Sequence, residues 1–207
     1  APHEAGAFHP KVWALRFMAP DGAVRYRLLC LSRNLTFDRC WDTALVLEGK
    51  LIERQRAFAI NNPLGDFFAA LPRLAVHGLS QRAQADIERV QDELRRVEFE
   101  APDGLELAGF WSLGLAGRRS WPFRGRIDRM LVMSPFLATN CLEALTAEGA
   151  DHILVSRLEA LEALSQTELA GFKRIFYLHP AAEADEAPAQ TEDFAVPLSG
   201  LHAKLYV

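Results

Sequence analysis

Residues 129–178 read RMLVMSPFLATNCLEALTAEGADHILVSRLEALEALSQTELAGFKRIFYL. Short apolar runs alternate here with longer amphipathic ones. The pattern gives a strand over 129–134, a helix over 138–148, a strand over 151–156, a helix over 157–170 and a strand over 172–178. Strands that alternate with helices of this length imply a parallel or mixed sheet covered by helices, so the expected class is α/β.

The rest of the chain is read outward from that stretch. Downstream, residues 181–193 are polar and rich in Ala, Glu and Pro, and 201–207 returns to strand. Upstream, 109–125 is rich in Gly, Arg and Trp and reads as a loop. A helix is expected from Ser80, a good N-cap, to Val97, because Ile87, Val90, Leu94 and Val97 recur at helical spacing. Strand is expected at Phe99 and again around Leu105 and Leu107, and a short amphipathic piece at 64–71. At the front, 8–18 and 24–32 read as strands joined by a turn at Pro20-Asp21-Gly22, and 43–47 as a further short strand.

Composition bounds the function. The chain has 207 residues, half of them hydrophobic and 24% charged, enough for one domain or two intimately packed halves. No apolar run reaches the roughly 20 residues of a membrane span, and no signal-peptide pattern opens the given sequence. Cys30, Cys40 and Cys141 are odd in number and lack metal-ligand spacing, which points to reduced thiols and a cytoplasmic protein. A net charge of −4 supplies no global field to recruit nucleic acid. Arginines do cluster at 118, 119, 124, 126 and 129, as a path for a phosphate backbone or simply as a solvated basic loop. The chain starts without Met and stops inside its last strand, as a fragment of a longer protein would.

One phrase occurs twice. Phe8-His9-Pro10-Lys11-Val12-Trp13 and Leu201-His202-Ala203-Lys204-Leu205-Tyr206 share apolar, His, any residue, Lys, apolar, aromatic. With six histidines and four lysines, chance gives roughly 0.1 such pairs. On a strand, a His and a Lys two apart point the same way. A lone His on an apolar strand is ordinarily a satisfied core residue, but that reading gives no reason for the Lys to recur. Neither phrase carries a carboxylate to offset a buried ammonium. Together the four cationic groups suit a bound anion, and phosphate would satisfy many donors at once. One His would attack phosphorus while the other protonates the leaving oxygen. The lysines would hold the remaining oxygens, with no metal or other cofactor needed. Asn34, beside the first phrase, would donate an amide N–H to those oxygens, although a turn-forming role is its ordinary one. Ser32 would brace that geometry.

His9-x-Lys11, then Ser32-x-Asn34-Leu35-Thr36, then Leu201-His202-Ala203-Lys204-Leu205-Tyr206-Val207 resembles the phospholipase D superfamily. Ser134-Pro135-Phe136-Leu137, between a strand and a helix, resembles its second half. The similarity covers 1–48 and 127–207. It implies two pseudo-repeated α/β halves, 1–126 with the first motif and 127–207 with the second, whose motifs pair across a pseudo-twofold axis. It further implies metal-independent phosphodiester chemistry through a phosphohistidine. His9 would be the nucleophile, His202 the general acid, and Lys11, Lys204 and Asn34 phosphate binders. Asp42 would stand in for the acid that orients the second histidine in relatives, or be a plain surface residue.

Two departures shape the reading. Arg16 occupies the place of the superfamily's Asp, which makes the pattern His-Lys-Asn, as in tyrosyl-DNA phosphodiesterases and some bacterial nuclease-like members. The chain also ends before a second Asn. The missing Asp, the arginine-rich 118–129 segment and the lack of an amphipathic helix of basic face favour nucleic acid over lipid as substrate, while a chain without the second Asn would lack half of the phosphate cradle. The rivals are a lipid hydrolase or transphosphatidylase, and a non-catalytic nucleic-acid-binding module of a larger protein. A homodimer is a further expectation. His3, His77, His152 and His179 have no partner pattern and read as structural or exposed, and the tryptophans as core or loop anchors rather than base-stacking platforms.

Overall fold

The computed structural model describes residues 9–34, 40–53, 56–115, 122–123, 125–145, 151–179 and 200–207. Phe8, the acidic and polar stretch over 181–193, and Arg118, Arg119 and Arg124 lie outside them. The class is mixed α/β. The chain divides into two compact units. The described residues up to Cys30 and from Leu45 to Pro122 make the first; Leu31–Ala44 and Phe123–Val207 make the second.

In chain order the first strands are β1 (Val12–Met18), β2 (Val24–Leu31), the two-residue β3 (Cys40–Trp41) and β4 (Ala44–Leu51). Helices α1 (Asn62–Leu74) and α2 (Gln81–Leu94) follow, then β5 (Val97–Glu100). The sheet of the first unit runs β1-β2-β4-β5. β1 and β2 form an antiparallel hairpin with Val12 opposite Cys30 and Met18 opposite Val24. Its turn is the expected one. Gly22 takes φ +87°, where a Cβ would be strained, and Asp21 Oδ1 accepts from Ala23 N at 3.0 Å. Gly49 is needed for a different reason: a Cβ there would lie 2.6 Å from Glu98 O on neighbouring β5.

Tyr26, Leu28, Leu47, Leu64, Leu94 and Val97 form the core of this unit. The helix expected to reach Val97 stops at Leu94, because tertiary donors take the carbonyls that a further turn would use. Asn61, 1% exposed, donates from Nδ2 to Leu94 O at 3.0 Å and to Val97 O at 2.8 Å. Phe58 N binds Arg95 O and Ile52 N binds Arg96 O. Val97 thus opens β5 instead. Ser80 caps α2 as expected, accepting from Ala83 N. No strand forms around Leu105 and Leu107; Leu105 N closes a turn onto Pro102 O, and the Leu105 side chain is exposed. The short amphipathic piece at 64–71 is the middle of α1.

The second unit follows the quoted stretch: β6 (Arg129–Met133), α3 (Thr139–Leu145), β7 (Asp151–Ser156), α4 (Leu158–Glu162), α5 (Gln166–Leu169) and β8 (Arg174–Tyr177). β6, β7 and β8 are parallel neighbours, as strands linked by helical crossovers must be. The single helix expected over 157–170 is two helices. Ser165 caps α5 in a capping box, its side chain accepting from Glu168 N while the Glu168 carboxylate accepts from Ser165 N. The backbone N–H groups committed to that cap cannot continue α4.

The last strand is also divided. β9 (Gly200–Leu201) pairs in parallel with β3, whereas β10 (Leu205–Tyr206) pairs antiparallel with β6. His202, Ala203 and Lys204 lie between them. Leu154, Val132, Leu142, Leu145, Phe172 and Leu201 are buried around this sheet. His152 is fully buried beside the Phe172 ring, and neither ring nitrogen has a hydrogen-bond partner among the described residues. The structural reading of His152 therefore holds, as a buried imidazole without satisfied nitrogens.

Candidate functional site

His9 and Lys11 sit immediately before β1 rather than on it, so strand alternation is not what brings their side chains together. Lys11 turns back on its own motif. Its Nζ lies against the His9 ring, 2.8 Å from Nε2 and in contact with Nδ1, and donates to His9 O at 3.0 Å. Lys11 is 8% exposed, and burial lowers the pKa of its amine. His9 is exposed and forms part of the wall of a cavity of about 580 Å³, with Val12, Leu28, Leu47, Phe110 and Trp111.

Arg16 is engaged away from the first motif. Its Nε and second terminal nitrogen donate to the two oxygens of Glu93 on α2, at 2.7 and 3.1 Å, and Tyr26 OH donates to the same carboxylate at 2.6 Å. This is a structural clamp between β1, β2 and α2.

Ser32, Asn34 and Asp42 belong to the second unit, with His202 and Lys204, because the 31–44 segment joins that unit through β3. His202 N and Ala203 N both donate to Trp41 O, at 2.9 and 2.7 Å, which fixes the backbone of the second motif. Lys204 repeats the behaviour of Lys11. Its Nζ donates to His202 O at 3.2 Å, lies 3.4 Å from His202 Nδ1, and reaches Ser32 O at 3.0 Å.

Asp42 is bound on three sides. Ser32 Oγ donates to Oδ1 at 3.1 Å, Arg33 Nε pairs with Oδ2 at 3.0 Å, and His202 Nδ1 lies 3.9 Å from Oδ1. Ser32 also accepts from Thr43 N at 2.9 Å, so it braces the turn that carries Asp42. Asn34 is exposed close by in sequence.

His202 is 6% exposed, and its pKa is lowered, first by burial and then by the Lys204 charge, with Asp42 pulling the other way. The imidazole is thus held towards its neutral form. An anion beside it would counter the Lys204 charge and favour protonation.

Two residues that sequence reasoning did not single out, Arg33 and Arg157, complete this cluster with Phe136. Arg33 ion-pairs Asp42. Arg157 donates from Nε to Leu201 O at 2.9 Å and sets its guanidinium 5.8 Å from the Phe136 ring centroid. Lys204 Nζ lies 5.8 Å from the same centroid, and the ring meets His202 edge-on at 6.2 Å. The signal for Arg33 was present, since it is the middle residue of Ser32-x-Asn34. For Arg157, 23 positions after Ser134 and 45 before His202 in the chain, no sequence pattern could have been used. Among the described residues the charges that act on His202 are Lys204 and Arg157 against Asp42, which Arg33 also pairs, an environment suited to an anion. Among the described residues no helix is long and apolar enough to cross a membrane.

No family model matches the chain, and no curated protein or solved structure matches it either.

Proposed function

We propose that this protein is a phosphodiesterase of the phospholipase D type that works through a covalent phosphohistidine, with nucleic acid as its substrate. The observation that carries the reading is the shared local geometry of the two motifs. In each, the lysine ammonium folds back on the carbonyl oxygen and ring of the histidine two residues before it. A structural core histidine needs no such companion, and its recurrence in two sequence-distant places favours one chemical task.

In this mechanism a ring nitrogen of His9 attacks phosphorus and the bond from phosphorus to the leaving oxygen breaks. That oxygen takes its proton from His202. Water then attacks the phosphohistidine, gives a proton back to His202, and the phosphorus–nitrogen bond breaks to free His9. Lys11, Lys204 and Asn34 hold the phosphoryl oxygens as charge redistributes, and no step calls for a metal. Asp42, through its approach to Nδ1, steadies the protonated His202.

The test is turnover of a labelled oligonucleotide in EDTA by the full chain, with acid-quenched protein searched for phosphate on the His9 peptide. The expected result is chelator-insensitive hydrolysis, abolished in His9→Ala. Loss of activity in EDTA that a divalent ion restores would overturn it. Salt-dependent binding without any turnover would instead identify a non-catalytic module.

A second reading, hydrolysis of a lipid phosphodiester, is favoured by one observation: the cavity beside His9 is walled chiefly by Val12, Leu28, Leu47, Phe110 and Trp111. Release of free head group from phospholipid vesicles, with no cleavage of oligonucleotide, would select it.

A further inference from the structure

Phe136 is 63% exposed, the highest value for any Phe, Tyr or Trp among the described residues. Exposed apolar groups are common singly, so exposure alone carries little. The way this ring is presented carries more. Its backbone is pinned: Ser134 Oγ donates to Phe136 O at 2.7 Å, Ser156 Oγ donates to Ser134 O at 2.7 Å, and Ser134 N binds Val155 O. Ser134 and Pro135 are themselves buried. A rigid loop therefore holds a large aromatic ring out from the protein, against the buried His202 and within 5.8 Å of two cations.

We infer that Phe136 is a stacking platform for one base of a single-stranded nucleic acid held at the His202–Lys204 site. This rests on the nucleic-acid reading above and makes it more specific. A nucleotide carries its phosphate one sugar away from its base, the same scale as the separation of the Phe136 ring from Lys204 Nζ and Arg157 Cζ. The phosphate would meet the cations while the base stacks on the exposed ring. A single standing ring offers a flat π-surface to a base but no enclosing walls to a hydrocarbon chain. The base must be unpaired, because inside a duplex both of its faces are already stacked. Phe136 is in this account a specificity-determining residue and takes no part in bond breaking.

The experiment compares binding of a labelled oligothymidylate with that of an equally long strand of abasic sites, by fluorescence anisotropy at one fixed low salt concentration. The two strands share their phosphates and differ only in bases. The wild-type chain is expected to prefer the base-bearing strand by about ten-fold, the worth of one stacked base. Phe136→Ala and Phe136→Leu are expected to bind both strands equally, while Phe136→Trp keeps the preference. Equal binding of the two strands by the wild type, or a preference that survives in both Phe136→Ala and Phe136→Leu, overturns the inference. Because only binding is measured, the absence of turnover overturns the phosphodiesterase reading and leaves this result standing.

Discussion

Glu93→Gln tests the clamp that anchors the strand following the first motif. The substitution keeps the shape of the side chain and removes its charge. Glu93 is 9% exposed and accepts from Arg16 at two points and from Tyr26 OH at one. Hydrogen bonds to charged groups contribute about 1.5–3 kcal/mol each, and breaking a buried pair costs about 3–5 kcal/mol. The Arg16 side chain is 26% exposed, so water recovers part of its loss, and about 2–4 kcal/mol is the expected destabilisation. With a urea slope of about 1–3 kcal/mol per molar, the midpoint of the first unit falls by about 1–2 M. Amide hydrogen exchange in β1 and β2 during a urea titration reads that unit separately from the second.

The pH dependence gives the sharper check. Burial alone would raise the Glu93 pKa, but the hydrogen bonds from Arg16 and Tyr26 outweigh it, and the net shift is downward from 4.5. The unfolded chain therefore binds the proton first as pH falls, so this stabilisation is complete above 4.5 and is lost as pH falls through the lowered folded value. The gap between wild type and Glu93→Gln should be full near neutral pH and shrink as pH falls below 4.5. A gap below about 0.5 kcal/mol at neutral pH, or one that does not change on acidification, would refute the view that an ionised carboxylate holds this clamp.

Two further outcomes follow from the structure. Asn61→Ala leaves Leu94 O and Val97 O without their buried donor and should cost about 2–4 kcal/mol, read by urea unfolding; a loss under about 1 kcal/mol would mean water replaces the amide. Asp42→Asn removes the only acid recorded beside His202 among the described residues, a charge interaction of about 1 kcal/mol in water-like surroundings and up to about 4 nearer the interior. The His202 pKa should fall further in an NMR titration of its ring protons, and an unchanged or raised value would refute the pairing.

Much of the second unit was legible in residues 129–178, because its strands are short apolar runs and its helices amphipathic, and periodicity senses that contrast directly. The hairpin at Asp21-Gly22 was legible for an equally local reason, since the turn depends on one left-handed glycine and one side-chain acceptor. Helix ends were less so. Leu94 and Ser165 become boundaries only because a buried Asn61 amide competes for carbonyls in one place and a capping box forms in the other. Neither competitor shows in a hydrophobic period.

The sequence by itself determined the chemical vocabulary of this protein: two His-x-Lys phrases, too regular for chance, and an α/β rhythm to carry the second. Tertiary structure alone decided the grouping. The 31–44 segment crosses to the second unit on two strand residues, which puts Asp42, Ser32 and Arg33 around His202, and it leaves Arg16 bound to a glutamate on α2. The physical reason is that motif chemistry is a property of residues close in the chain. Burial, charge pairing and strand partnership join residues up to 172 positions apart, such as Ser32 and Lys204, and no local pattern encodes that choice.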